Sequence, residues 1–122
     1  MDRIMKADIL ACCNDDYCDL SFIIGIIHDY LDLSLNKQKQ VLNVISELIY
    51  ENLILPGEPT DEGGEFDSWK GTNEEKIQRI KKEWDSLGKP PTMWEIVWFD
   101  ITPKGQEVLK ELLKTVKFKD QE

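Results

Sequence analysis

Apolar residues recur along this chain in two rhythms, and each change of rhythm marks a new element. Met5, Ile9 and Cys12 stand at helical spacing, which predicts a first helix over residues 2–13, ended by the polar run Asn14-Asp15-Asp16. Asp19 or Ser21 can cap a second helix, in which Phe22, Ile23, Ile26, Ile27 and Tyr30 are apolar enough to require burial of most of its surface. A third helix is predicted over residues 36–52, with Val41, Leu42, Ile45, Leu48 and Ile49 on one face. Leu53-Ile54-Leu55 then reads as a short strand stopped by Pro56-Gly57, and residues 58–71 as a Gly-, Asp- and Glu-rich surface loop holding isolated Phe66 and Trp69.

The second half begins with a helix signal that combines a cap, a stripe and a stop. Thr72-Asn73-Glu74-Glu75 is a capping box; Ile77, Ile80, Trp84 and Leu87 follow at helical spacing; Gly88 with Pro90-Pro91 ends the run. The rhythm next shortens to two. Residues 95–101 form a strand with Val97, Phe99 and Ile101 on one face and Ile96, Trp98 and Asp100 on the other. Thr102 caps a last helix, Pro103 takes its first position, and Val108, Leu109, Leu112, Leu113 and Val116 supply its buried stripe.

With 122 residues, 41% of them hydrophobic, the chain suits one domain around one core. Its longest apolar run, residues 22–27, is far short of the roughly 18 residues of a membrane span. The charged N-terminal segment lacks the apolar core of a signal peptide, so a cytoplasmic protein is expected. Cys12, Cys13 and Cys18 are an odd number crowded together and suggest no ordinary disulfide framework; reduced thiols are the expectation.

The element order is helix, helix, helix, strand, insert, strand, helix. With Leu53-Ile54-Leu55 directly after the third helix and Asp100-Ile101-Thr102-Pro103-Lys104-Gly105 before the last, it resembles the winged-helix superfamily, the second segment being similar to the closing segment of MarR-like and PadR-like regulators. The resemblance implies a mainly α domain with a small antiparallel β-hairpin. Here the wing would be interrupted by an insert of about residues 58–94 that contains a whole helix, a departure from the short loop of an ordinary hairpin. The run over residues 74–91 is similar to a segment of small bacterial proteins, and no function comes with it.

Charge changes what the resemblance can mean. The net charge is −9, with seven Asp against two basic residues in 1–35 and seven acidic against three basic in 36–70. A winged helix that reads DNA sets its third helix in the major groove with Lys and Arg against phosphates. The third helix here has Lys37 and Lys39 at its start, with Gln38, Gln40 and Asn43 able to join them in a local polar stripe. It also carries Glu47 and Glu51, and the wing region offers Glu58, Asp61, Glu62, Glu65 and Asp67. Nucleic acid is therefore disfavoured, and a DNA-binding transcriptional regulator, dimeric through its first and last helices, is the alternative reading.

Candidate chemistry is thin. Asp15, Asp16, Cys18, Asp19 and His28, with Cys12-Cys13, match no zinc spacing. Cys18 or Cys13 with His28 as base lacks an orienting group, so neither a metal, a cofactor nor an enzyme is expected. Four tryptophans remain. Trp84 belongs to the core stripe; Trp69, Trp94 and Trp98 are either a lid that seats the inserted helix, which is favoured, or anchors at a protein interface ringed by carboxylates.

Acidic steering with aromatic anchors fits a basic protein partner. The expectation is a monomeric or weakly dimeric protein-binding module, an immunity protein or antitoxin that occludes a basic toxin such as a nuclease, by analogy of charge and size. The expected contact residues are Glu62, Glu65, Asp67, Trp69, Trp94 and Trp98 of the insert and the following strand, with Asp15, Asp16 and Asp19 as the rival location. Asp29, Asp32, Glu47 and Glu51 would add to the steering field.

Overall fold

The computed structural model describes residues 1–60 and 64–115, which form five helices and a four-stranded antiparallel sheet. In chain order these are α1 (Arg3–Asp15), β1 (Cys18–Asp19), α2 (Leu20–His28), α3 (Lys37–Tyr50), β2 (Ile54–Pro59), β3 (Phe66–Ser68), α4 (Asn73–Leu87), β4 (Trp98–Ile101) and α5 (Pro103–Thr115). The domain is mainly helical. Val116, Asp61 and Glu62 lie outside the described residues.

Four of the five helices start where a side chain satisfies free N–H groups, α3 being the exception, since Asn36 before it makes no side-chain cap. Asp2 Oδ1 accepts from Ile4 N and Met5 N at 2.8 and 3.0 Å, and Asp19 Oδ1 accepts from Phe22 N at 2.9 Å. The Thr72–Glu75 capping box at α4 is reciprocal, with bonds of 2.9 and 3.1 Å. Helix α4 then docks through Ile77, Ile80 and Trp84, all buried, and removing each of these from water contributes about 2 kcal/mol.

The sheet order is β1-β4-β2-β3, so β4 is central and its Phe99 is the largest fully buried side chain. The expected pairing of the strand after α3 with the strand before α5 is present: Ile54 faces Ile101 and Pro56 faces Phe99. The expectation of a single hairpin is corrected to four strands. β1 pairs with β4 through Cys18–Phe99 and Asp19–Trp98, and β3 pairs with β2. Two or three residues are too few to show an alternating pattern, which is why β1 and β3 left no periodic signal.

Three further expectations change. Pro56-Gly57 does not stop the strand; β2 runs through it to Pro59. Gly57 is there because β3 passes so close that a Cβ would meet Asp67 O at 2.3 Å. The strand expected over residues 95–101 starts only at Trp98, because Trp94 and Ile96 have φ of 68° and 70°, which no strand accommodates. Helix α2 is buried through Leu20, Ile23, Ile24 and Ile27, whereas Phe22 stands 61% exposed and Tyr30 lies past the helix end.

The cysteines also differ from expectation. Cys12 and Cys18 form a disulfide, their Cα atoms 6.0 Å apart, and only Cys13 is free. Adjacent helical residues point about 100° apart, so Cys13 enters the core while Cys12 faces the returning chain. The bend at Asp16 and Tyr17, directly after α1, brings Cys18 back to it.

The Thr-Pro-Lys-Gly segment gains a physical meaning here. Thr102 Oγ1 accepts from Gly105 N at 2.8 Å and donates to Asn52 O at 2.7 Å, while Thr102 N donates to Leu53 O at 3.0 Å. One residue thus caps α5 and ties it to the α3–β2 junction. Gly105 must lack a side chain, since a Cβ would meet Leu53 O at 2.3 Å.

Candidate functional site

Helix α3 is mostly covered. Gln38 Nε2 donates to Asp85 Oδ1 at 2.8 Å and Tyr50 OH donates to Glu74 Oε2 at 3.0 Å. Both ends of α3 are thereby tied to opposite ends of α4, so the two helices run antiparallel along their length. What α3 leaves exposed is one narrow stripe, Lys39, Asn43, Glu47 and Tyr50, in which one cation meets one carboxylate. The polar stripe considered for DNA contact is further depleted because Gln40 Nε2 donates to Asp32 O and Leu35 O, both at 2.8 Å.

The insert presents less than its sequence promised. Glu65 and Asp67 are exposed, but Trp69 is only 8% exposed, and the Arg79 guanidinium lies 3.7 Å from its ring centroid. Arg79 also bonds Glu83 at 2.9 Å and approaches Glu58 at 4.0 Å. This tryptophan seats α4 and offers no surface to a partner. Trp98, half-buried on β4, and Trp94 share a small hollow with Glu58, Pro59 and Glu83.

The aromatic and acidic residues that do converge border an open groove of about 940 Å³ between α1, α2 and α5. Asp15 and Asp16 border it at the end of α1, and Trp94 and Trp98 close one end. Around them stand Phe22, Met93, Trp94 and Leu113, exposed by 61, 63, 71 and 49%. Five aspartates line the groove, Asp8, Asp15, Asp16, Asp19 and Asp29, and among the described residues no Lys, Arg or His does. Among the described residues, Asp15, Asp16 and Asp29 enter no ion pair.

Asp19 needs a correction as a steering charge. It is 6% exposed and spends both oxygens inside the protein: Oδ1 accepts from Ser21 Oγ and Phe22 N at 2.8 and 2.9 Å, and Oδ2 accepts from Trp94 N at 3.1 Å. It is a positioning residue for Trp94. Asp8 accepts from the Tyr30 hydroxyl, a bond that, with burial and neighbouring aspartates, pushes the Tyr30 phenol up to about 12.

The segment carrying Trp94 is held against its own preference. A left-handed backbone costs a residue with a Cβ about 1–2 kcal/mol, and both Trp94 and Ile96 adopt it. Neighbouring bonds impose it. The Glu95 carboxylate accepts from Thr92 Oγ1 at 2.6 Å, Thr92 N at 2.7 Å and Lys89 Nζ at 2.9 Å. The Thr92 hydroxyl first, then Lys89 and the Thr92 amide, pull its pKa down to about 2. Bulky residues in such conformations cluster at sites that bind something.

Phe22, Met93 and Asp8 were missed as site residues. The available signal was α2 itself, which carries Phe22, Ile23, Ile24, Ile26 and Ile27 on more sides than one core can cover. As for the other chemistry considered, Cys18 is in the disulfide, and burial, with Asp100 nearby, pushes the Cys13 thiol up to about 12, so it stays protonated. Among the described residues no group of three or more His, Cys, Asp or Glu is placed to hold a metal ion, and no helix is long and apolar enough to cross a membrane.

Comparison of the chain with protein families, with curated proteins and with solved structures finds no match, so its function has to be argued from this groove alone.

Proposed function

We propose that this chain is an acidic protein-binding module that neutralises a basic protein, an immunity protein or antitoxin acting by occlusion of the cationic surface of a toxin such as a nuclease. The observation that carries the reading is Trp94, held 71% exposed in a left-handed backbone beside a groove lined by five carboxylates and, among the described residues, no cation. Exposed aromatics ringed by charge are the usual anchors of protein interfaces. Unpaired aspartates around them steer a basic partner by long-range attraction. The contact surface is thereby moved from the insert to the α1–α2–α5 side.

The architecture is read as winged-helix-like. Support comes from a short strand after the first helix, two helices, and a pair of strands joined around the sheet centre, with α4 inserted between that pair. In this reading α4 has converted a DNA-reading helix into a packed one, because it occupies a face of α3 that a recognition helix would have to leave open.

Kinetics on the partner copurified with the tagged chain test this. Reversing Asp15, Asp16 and Asp29 together is expected to slow association by at least tenfold at low salt, with the difference shrinking as salt screens exposed charges over about 8 Å at physiological strength. Reversing Glu65 and Asp67 is expected to change the rate less than twofold. The opposite ranking would return the contact surface to the insert. Enrichment of one duplex sequence from a random pool at about 10⁻⁸ M would replace the whole reading by a regulator.

A further inference from the structure

We propose that what docks in the α1–α2–α5 groove is a single amphipathic, Lys- and Arg-bearing helix of the partner protein. This rests on the protein-binding reading above and names the element that fills the site. The walls of the groove are helical rows. Ala11 and Asp15 on α1 stand four residues apart, Phe22 and Ile26 on α2 are likewise four apart with Asp29 at its C-cap three further on, and Leu109 and Leu113 on α5 again at four. Such rows form ridges between which another helix can lay its own side chains. The row on α2 is about 10 Å long at 1.5 Å per residue, so two to three turns of a partner helix would fill it.

Strand addition, the other common way to capture a peptide, has little to work with here. The sheet edge nearest the groove is β1, which is two residues long with both residues buried. Charge then selects whose helix it is. The exposed carboxylates at Asp15, Asp16 and Asp29 have no counter-charge among the described residues of the groove. A second copy of this chain seated on the same face would set these aspartates against their equivalents, and like charges across an interface oppose association. A helix with Leu-type residues along one stripe and Lys or Arg beside it meets Ile26 and Leu109 with the first and the aspartates with the second.

The test uses the full ¹⁵N-labelled chain and three synthetic 14-residue probes: a Leu/Lys amphipathic helix, the same composition with two central prolines that block the helix, and a Leu/Glu counterpart. The expected result is that the Leu/Lys helix shifts the amides of Phe22, Ile26 and Leu113 and the indole N–H of Trp94. It should bind at least tenfold more tightly than the proline form, the Leu/Glu peptide should leave all four signals in place, and Phe22→Ala and Leu113→Ala should each weaken binding severalfold. Equal binding of helical and proline forms in the groove would overturn the helical occupant while leaving the protein-binding reading intact. Shifts that instead map to β3 and α4, or groove shifts that appear on concentrating the chain alone, would overturn it in favour of another surface or a second copy. Failure of both basic probes to bind anywhere would remove the basic-partner reading as well.

Discussion

The buried carboxylate of Asp19 offers the sharpest test of how the groove is built, because its two oxygens do separable work. Oδ1 caps α2 through Phe22 N, and Oδ2 holds the strained Trp94 segment through Trp94 N. Asp19→Ala removes both. Loss of an N-cap costs about 1 kcal/mol, and loss of a part-buried hydrogen bond to a charged acceptor about 2 kcal/mol, for a total near 3 kcal/mol. Asp19→Asn is more informative. Asparagine caps a helix as well as aspartate does, but once its oxygen faces Phe22 N its amide NH₂ faces the Trp94 N–H, donor against donor. The cap survives and the tether does not, so the expected loss is about 2 kcal/mol. With a urea slope of about 2 kcal/mol per molar, the unfolding midpoint should fall by about 1.5 M for Ala and about 1 M for Asn. Asp15→Asn and Asp16→Asn, at exposed positions, should stay within about 0.5 kcal/mol of wild type. The Trp94 indole resonance should broaden or shift in Asp19→Asn while the α2 amides do not. A midpoint for Asp19→Asn within 0.2 M of wild type, or equal losses for Asn and Ala, would refute the claim that this carboxylate holds Trp94 in place.

Other outcomes follow from the same geometry. Gly57→Ala and Gly105→Ala, whose new Cβ atoms would each sit 2.3 Å from a backbone oxygen, should each destabilise by about 1–3 kcal/mol, whereas Gly25→Ala, with open space in α2, should stabilise by about 0.5–1 kcal/mol; urea midpoints of the three variants decide it, and a uniform response would contradict the close approaches. Reducing the Cys12–Cys18 bond, or replacing Cys12 by Ser, releases a seven-residue loop and should cost about 2 kcal/mol; an identical midpoint with and without a dithiol would mean the thiols are free in solution. The Glu95 carboxyl, ordinarily at 4.5 and lowered to about 2 in the fold, contributes stability that is present above pH 4.5 and is lost as pH falls toward 2. A carboxyl ¹³C titration should place its midpoint near 2, Glu95→Gln should remove that part of the acid sensitivity, and a midpoint at 4 or above would count against the Thr92 and Lys89 bonds.

Local codes carried most of the architecture. The capping box at Thr72, the stop at Gly88, the caps at Asp19 and Thr102 and the stripes of α3 and α4 are all short-range features, and each produced the helix it announced. Pairing of the strand after α3 with the strand before α5 was also legible, because both are apolar runs at the expected places in the order of elements. The absence of a wide basic face on α3 could be read directly from its composition.

The site was legible only in pieces. Asp15, Asp16 and Trp94 were named, but so were Glu65, Asp67 and Trp69, and a linear reading has no means of separating the two groups. Trp69 and Trp94 look alike in sequence, each an aromatic in an irregular segment. One is covered because Arg79, ten residues on, swings a helix across it; the other is exposed because Asp19, 75 residues away, fixes its backbone.

What the sequence by itself determined was therefore where helices begin, end and turn their apolar sides, because capping and side-chain periodicity act over three or four residues. Only the tertiary structure decided which surplus apolar residues stay uncovered, that Cys12 meets Cys18, and that Phe22, Ile26, Leu109 and Trp94 border one groove with Asp15, Asp16 and Asp29. Exposure of a side chain depends on what distant segments pack over it, and that is a property of the whole chain closing around a single core.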